Sequence, residues 1–259
     1  MNKKYLYFNI VLFASLTMLI WSCKKNELRV SPFDYTDGMG MLKINYASPY
    51  ALNPSVQIKI NGEKVSPSNI TYATPFPGGG LNTGGSNYAD YFSVLPGTDS
   101  ILISIPKKNS NEDSIILFKT TVNVVANKYQ TLHIADTSAA TQTVYTVDPG
   151  NKPDSGRVLY RFINLCPNST GLDLYFGTTM ISSNVAYKQV TDTFSLPAGN
   201  SLAWSLRTAG GTTTLSSAAT YTNSATVANQ RVFTVYARGY IGLPTTDIRT
   251  AKLSLLYNK

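Results

Sequence analysis

Val56-Gln57-Ile58-Lys59-Ile60-Asn61-Gly62 alternates apolar and polar residues and then breaks at Asn-Gly. A period of two places Val56, Ile58 and Ile60 on one face of a half-buried strand. Asn-Gly supplies two residues that tolerate positive φ, as the centre of a type I′ hairpin requires. A second stretch, Leu172-Asp173-Leu174-Tyr175-Phe176-Gly177, matches it in the later half of the chain. Further paired blocks flank these two in one order. Ile44-Asn45-Tyr46-Ala47-Ser48-Pro49 matches Phe162-Ile163-Asn164-Leu165-Cys166-Pro167, and Asn69-Ile70-Thr71-Tyr72 matches Asn184-Val185-Ala186-Tyr187. Phe92-Ser93-Val94-Leu95-Pro96-Gly97 pairs with Phe194-Ser195-Leu196-Pro197-Ala198-Gly199, and Val125-Ala126-Asn127 with Val227-Ala228-Asn229. Blocks that recur in order at similar spacing are an internal repeat. Each reads as a strand or a turn, because proline ends a ladder and glycine or asparagine turns the chain.

Composition agrees. The 259 residues are 43% hydrophobic, 11% aromatic and 14% charged, which excludes a disordered tail. Only Glu27, Glu63 and Glu112 are glutamates, against 54 serines and threonines, a balance that favours strands over helices. About seven strands in ~95 residues, with no amphipathic helical stretch, make an antiparallel β-sandwich of immunoglobulin-like build. The fold class expected is therefore all-β, two tandem sandwiches, with a closed barrel as the alternative.

The N-terminus reads as an address. Lys3 and Lys4 precede an almost wholly apolar stretch from Tyr5 to Trp21, the pattern of a secretory signal. It ends in Ile20-Trp21-Ser22-Cys23-Lys24-Lys25, which resembles a bacterial lipobox of the Bacteroidetes type, with Cys23 as the lipidated residue. An ordinary cleaved signal peptide and an uncleaved membrane anchor are the alternatives. Several acyl chains at ~0.8 kcal/mol per buried CH₂ would hold a domain on a bilayer. The organisation expected is a signal peptide at 1–22 and a lipidated tether at 23–40. Repeats at 41–136 and 157–259 follow, joined by a Pro/Gly-rich linker at 137–156. Without Lys3 and Lys4 the formal charge falls from +8 to +6, spread in runs no longer than two, which argues against nucleic acid as a partner.

The paired motifs are similar to the bacterial domain of unknown function 4397, once per repeat over most of residues 41–240. Many members carry histidine before Ala-Ser-Pro, where this chain has Tyr46 and Asn164. The resemblance implies a secreted or anchored envelope protein without an established catalytic site. It supports fold more than activity.

Chemistry-bearing residues are scarce. His133 is the only histidine, and its counterpart is Tyr236, so it reads as a strand position rather than a base. Cys166 aligns with Ser48 and reads as a small core residue. The Asp34 to Gly38 and Asp148 to Asp154 stretches lack the spacing of a calcium loop and read as turns. Pro77-Gly78-Gly79-Gly80 lacks the lysine of a phosphate loop. No metal and no cofactor is expected. The main asymmetry is a Gly-rich insertion at 73–88, where the second repeat has about four residues. A long loop on a sandwich carries recognition or is a flexible insertion. Phe76, Tyr88 and nearby Tyr91 are candidate aromatic platforms, with Asn82 and Asn87 as hydrogen-bonding partners.

The function expected is a non-enzymatic, lipid-anchored envelope protein at the outer membrane, on either side of it. It would bind, adhere or scaffold, with a glycan or an envelope protein as partner. An accessory glycan-binding lipoprotein is the alternative and a hydrolase the least favoured reading.

Overall fold

A computed structural model describes residues 36–199, 202–215 and 229–259. Cys23 and the signal segment lie outside these residues. The first repeat contributes β1 (Gly40–Ala47), β2 (Gln57–Ile60), β3 (Glu63–Lys64), β4 (Thr74–Phe76), β5 (Gly80–Leu81), β6 (Phe92–Val94), β7 (Gly97–Pro106), β8 (Asp113–Val124) and β9 (Tyr129–Ala135). Next come β10 (Gln142–Val147), β11 (Arg157–Leu165), β12 (Leu172–Phe176), β13 (Thr179–Val185), β14 (Phe194–Pro197), β15 (Trp204–Thr208), β16 (Val232–Arg238) and β17 (Lys252–Tyr257). The chain is all-β, as its composition requires.

Each repeat is two packed sheets. In the first, β10-β9-β1-β4, with β6 also on β1, faces β3-β2-β7-β8. In the second, β14-β11-β16-β17 faces β13-β12-β15. The repeat is kept at the level of register. Leu42 pairs with Phe92 as Tyr160 pairs with Phe194, and Val56 bridges Ile70 as Leu172 pairs with Val185. Asn127 accepts a hydrogen bond from the Gly38 amide at 2.9 Å, and Asn229 accepts one from Gly156 at 2.7 Å. The expected hairpin is present: Asn61 and Gly62 have φ of 51° and 89°, and Ile60 pairs with Glu63.

Two features differ from the reading of the sequence. The sheets are not purely antiparallel, since β1 pairs with β9 and β11 with β16 in parallel. In the first repeat the chain leaves β1, builds the opposite sheet and returns in the same direction, the crossover that a parallel pair needs. Moreover, the stretch taken as the start of the linker forms β10, the edge strand of the first sheet, with Gln142 opposite Ala135. Its Gln-Thr-Val-Tyr-Thr-Val alternation is the counterpart of β17, which pairs with β16 as β10 pairs with β9.

Ile44, Tyr46, Ile58, Ile101, Ile103, Leu132 and Ile134 fill the first core. In the second, Trp204 is 1% exposed, with its ring centroid 5.1 Å from Tyr160 and 4.7 Å from Phe176. A third cluster lies between the repeats, where Ala47 and Ala135 pack with Ile163, Leu165, Tyr236 and Leu256. That contact joins the sheets built on β1 with β9 and on β11 with β16, the front sheets of the two sandwiches, back to back.

Candidate functional site

The Gly-rich insertion is mostly fastening rather than open loop. Leu81 and Gly80 pair with Leu255 and Leu256, so the first repeat lends β5 to the edge of the second repeat's sheet. Gly79, at φ of 90°, lets this happen. A Cβ there would run into the Tyr88 carbonyl and the Lys43 ammonium, and the Gly79 carbonyl accepts from the Tyr257 amide at 2.8 Å. Phe76, expected as a platform, is 4% exposed and packs on Phe92 at 5.6 Å in the first core. The Asn82 side-chain amide donates to the Leu253 carbonyl at 2.7 Å, and its backbone carbonyl accepts from Arg238 at 3.0 Å and from Ser254 at 2.9 Å. Tyr91 is tied inward through its hydroxyl. Asn82, Asn87 and Tyr88 are exposed, but Asn82 is engaged across the repeats, so Asn87 and Tyr88 are the candidates most open to a partner. Asn82→Ala should lower stability by about 1–2 kcal/mol through loss of a bond across the repeats. A thermal midpoint equal to that of the parent would show that β5 is not held there.

Four charged or titratable side chains are buried together at the same junction. Asp148 is 4% exposed and Arg161 5%, and Lys43 and His133 are wholly buried. Arg161 pairs with Asp148, donates to Thr234 Oγ1 and Thr146 Oγ1 at 2.9 Å each, and reaches the Val147 carbonyl at 2.9 Å. Asp148 also accepts from Thr131 at 2.5 Å and from the Tyr91 hydroxyl at 2.6 Å. Asn258 donates to the Tyr91 oxygen at 2.9 Å and accepts from Thr234 at 2.9 Å. Lys43 donates to the Tyr257 carbonyl at 2.6 Å and lies over the Tyr91 ring.

The surroundings set each charge. Burial pushes the Asp148 carboxyl up, but Arg161 and the hydroxyls of Thr131 and Tyr91 outweigh it and hold it below the usual carboxylate range. Burial lowers Lys43 to about 8, opposed by Asp148 and Asp90. Burial, helped by the Arg161 charge, pushes His133 down to about 3. Its Nδ1 therefore accepts from the Asn45 amide at 3.1 Å as a neutral imidazole. The cluster is closed to solvent. Its members bond one sandwich to the other. Cys166 is likewise buried, with its thiol pushed up to about 12, far from a reactive thiolate. Among the described residues no three His, Cys, Asp or Glu side chains gather as metal ligands.

Open concavity lies elsewhere. A cleft of about 640 Å³ sits at the end of the first sandwich, between the β1–β2 loop, β3 and the turn joining β7 to β8. Ile105, Pro106 and Pro54 give it an apolar floor, and Lys64, Lys107 and Lys108 line it with Asn69, Asn109 and Asn111. A second groove of about 390 Å³ adjoins it across Lys64 and Asn111, whose side chains meet at 3.1 Å. The wall is braced from below. Gln57, fully buried, donates to the Asn111 carbonyl at 3.0 Å and to Asp113 at 2.8 Å, and Lys59 pairs with Asp113 at 3.0 Å. The cleft is hard to see in the sequence, because its residues are scattered over 54–111 and each looks like ordinary turn chemistry. The one signal was Lys107-Lys108-Asn109, a basic turn where the second repeat has none.

No curated protein matches the chain. A solved structure from Bacteroides uniformis ATCC 8492, described as a candidate cell adhesion protein, is 11% identical over 86% of this chain and 98% of that one. Its TM-score of 0.21 is too low for the likeness to carry an argument. The sequence family described as Domain of unknown function (DUF4397) matches twice, at residues 40–175 and 159–253, and the chain belongs to that family.

Proposed function

We propose that this protein is a lipid-anchored component of the bacterial cell envelope that binds or adheres to another molecule without transforming it. The open, braced cleft at the end of the first sandwich carries this reading. It is concave, lined by donors around an apolar floor, and separate from the buried charges, which are engaged within the junction. A site of that kind holds a ligand by shape and hydrogen bonds. The test is retention of the full chain, purified in detergent, on immobilised glycans, peptidoglycan and envelope proteins. Retention on one class supports binding, and no retention on any overturns it.

A spacer role is the second reading, and the buried junction favours it. A hydrogen-bonded ion pair, a shared strand and an apolar cluster make the two sandwiches one continuous body rather than beads on a linker. The anchor rests on the Ile20-Trp21-Ser22-Cys23 motif. Cys23→Ser should abolish labelling by a radioactive fatty acid, and undiminished labelling would sink the lipid anchor. Placement at the outer membrane, facing either side, belongs to the same proposal.

A further inference from the structure

We infer that the cleft at the end of the first sandwich takes the acidic sugars of a carboxylated polysaccharide. This rests on the binding role proposed above and names its ligand class. The lining contains three lysines, three asparagines and two serines, Ser55 and Ser110, and no carboxylate. Lys107 is paired with Glu112 at 2.7 Å, while among the described residues Lys64 and Lys108 make no ion pair. Two cationic groups are thus left over in a concave site, where their fields add and attract an anion. The floor of Pro54, Ile105 and Pro106 matches the C–H face of a pyranose ring, and the amides match its hydroxyls. A neutral or cationic ligand would leave Lys64 and Lys108 without a counter-charge.

The cleft is also prepared before a ligand arrives. Backbone hydrogen bonds from Lys107 to Glu112 at 2.8 Å and from Ser110 to Lys107 at 3.1 Å close the turn, and Gln57 and Lys64 hold it from either side. Less ordering cost then falls on binding. The fold does not demand these charges. In the second repeat β15 stands where β7 does, and the turn after it reads Ala209-Gly210-Gly211-Thr212-Thr213, without a charged residue. The adjoining groove mixes Lys59 and Lys64 with Glu63 and Glu112, so the acid group of the ligand is directed to the lysine-only side.

The test uses the full chain in detergent, with polygalacturonate and neutral dextran as probes at low and high salt. Polygalacturonate should bind, weaken with salt and lose about tenfold in affinity in a Lys64→Gln/Lys108→Gln variant. Lys128→Gln, in the turn between β8 and β9 outside the lining, should bind like the parent. Equal losses in both variants, or none in either, would place the charge recognition outside the cleft and overturn the site. Dextran bound as well as polygalacturonate would overturn the acidic class while leaving a binding role intact. If neither probe binds, the acidic class fails. The wider binding role then stands or falls on the separate glycan, peptidoglycan and protein panel.

Discussion

Asp148→Ala should cost about 3–5 kcal/mol, the largest single-residue loss expected outside the two cores. Asp148 is the acceptor on which the junction converges, with Arg161, Thr131 and Tyr91 all directed at it. Its removal leaves the Arg161 guanidinium buried without its counter-charge, with the Lys43 ammonium also enclosed. A buried unpaired cation is far more expensive than the pair was favourable. At about 2–4 °C per kcal/mol for a chain of this size, the thermal midpoint should fall by roughly 10 °C. Three comparisons isolate the cause. Asp148→Asn keeps an acceptor in place and should lose less. Asp154→Ala, six residues on and exposed, should stay within about 0.5 kcal/mol of the parent. Asp148→Leu combined with Arg161→Met removes both charges and should recover much of the loss, since an apolar pair of similar volume is often neutral. A midpoint shift under about 2 °C for Asp148→Ala would mean that the junction does not depend on this ion pair.

Acid should destabilise the protein through His133, well above the range where carboxylates protonate. The unfolded chain takes up this proton near 6.5 and the folded chain near 3, because burial and the Arg161 charge oppose an imidazolium. Between those values the unfolded state binds more protons. Stability from this group is complete above pH 6.5 and is lost as pH falls, by about 1.4 kcal/mol per pH unit across the window. From pH 6.5 to 4.5 the loss is about 2 kcal/mol. Asp148 adds to it only lower down, when its own depressed titration is reached. His133→Gln offers an amide to Asn45 and Thr146 without a titrating group. The variant should lie near the parent at pH 7 and be the more stable of the two at pH 4.5, by urea unfolding at each pH. Parallel stability curves for the two proteins would assign the acid sensitivity elsewhere.

Both effects come from residues that look unremarkable one at a time. His133 sits in an alternating strand with tyrosine at its counterpart, and the sequence reading of it as a strand position agrees with where it lies. Asp148 stands in a run of Pro, Gly and Asn and looks like a turn. Its position just beyond β10 carries it into the junction, and that depends on β10 pairing with β9.

The sequence by itself determined the local structure: strands by alternation, the hairpin by Asn61-Gly62, and the repeat by matched packing residues. Those are short-range preferences, encoded in neighbours two to four positions apart and repeated in both halves. Only the tertiary structure decided what the insertion at 73–88 does, where the first repeat ends, and which charges are buried. Each is settled by partners brought together by the fold, some of them far apart in the chain, such as Asn82 with Leu253 or Lys43 with Tyr257. A strand's alternation shows that it has two faces, but not what covers the polar one. Here the outward face of each front sheet is covered by the other repeat. Lys, Asn, His, Arg and Asp on those faces therefore form an enclosed junction instead of a solvated surface.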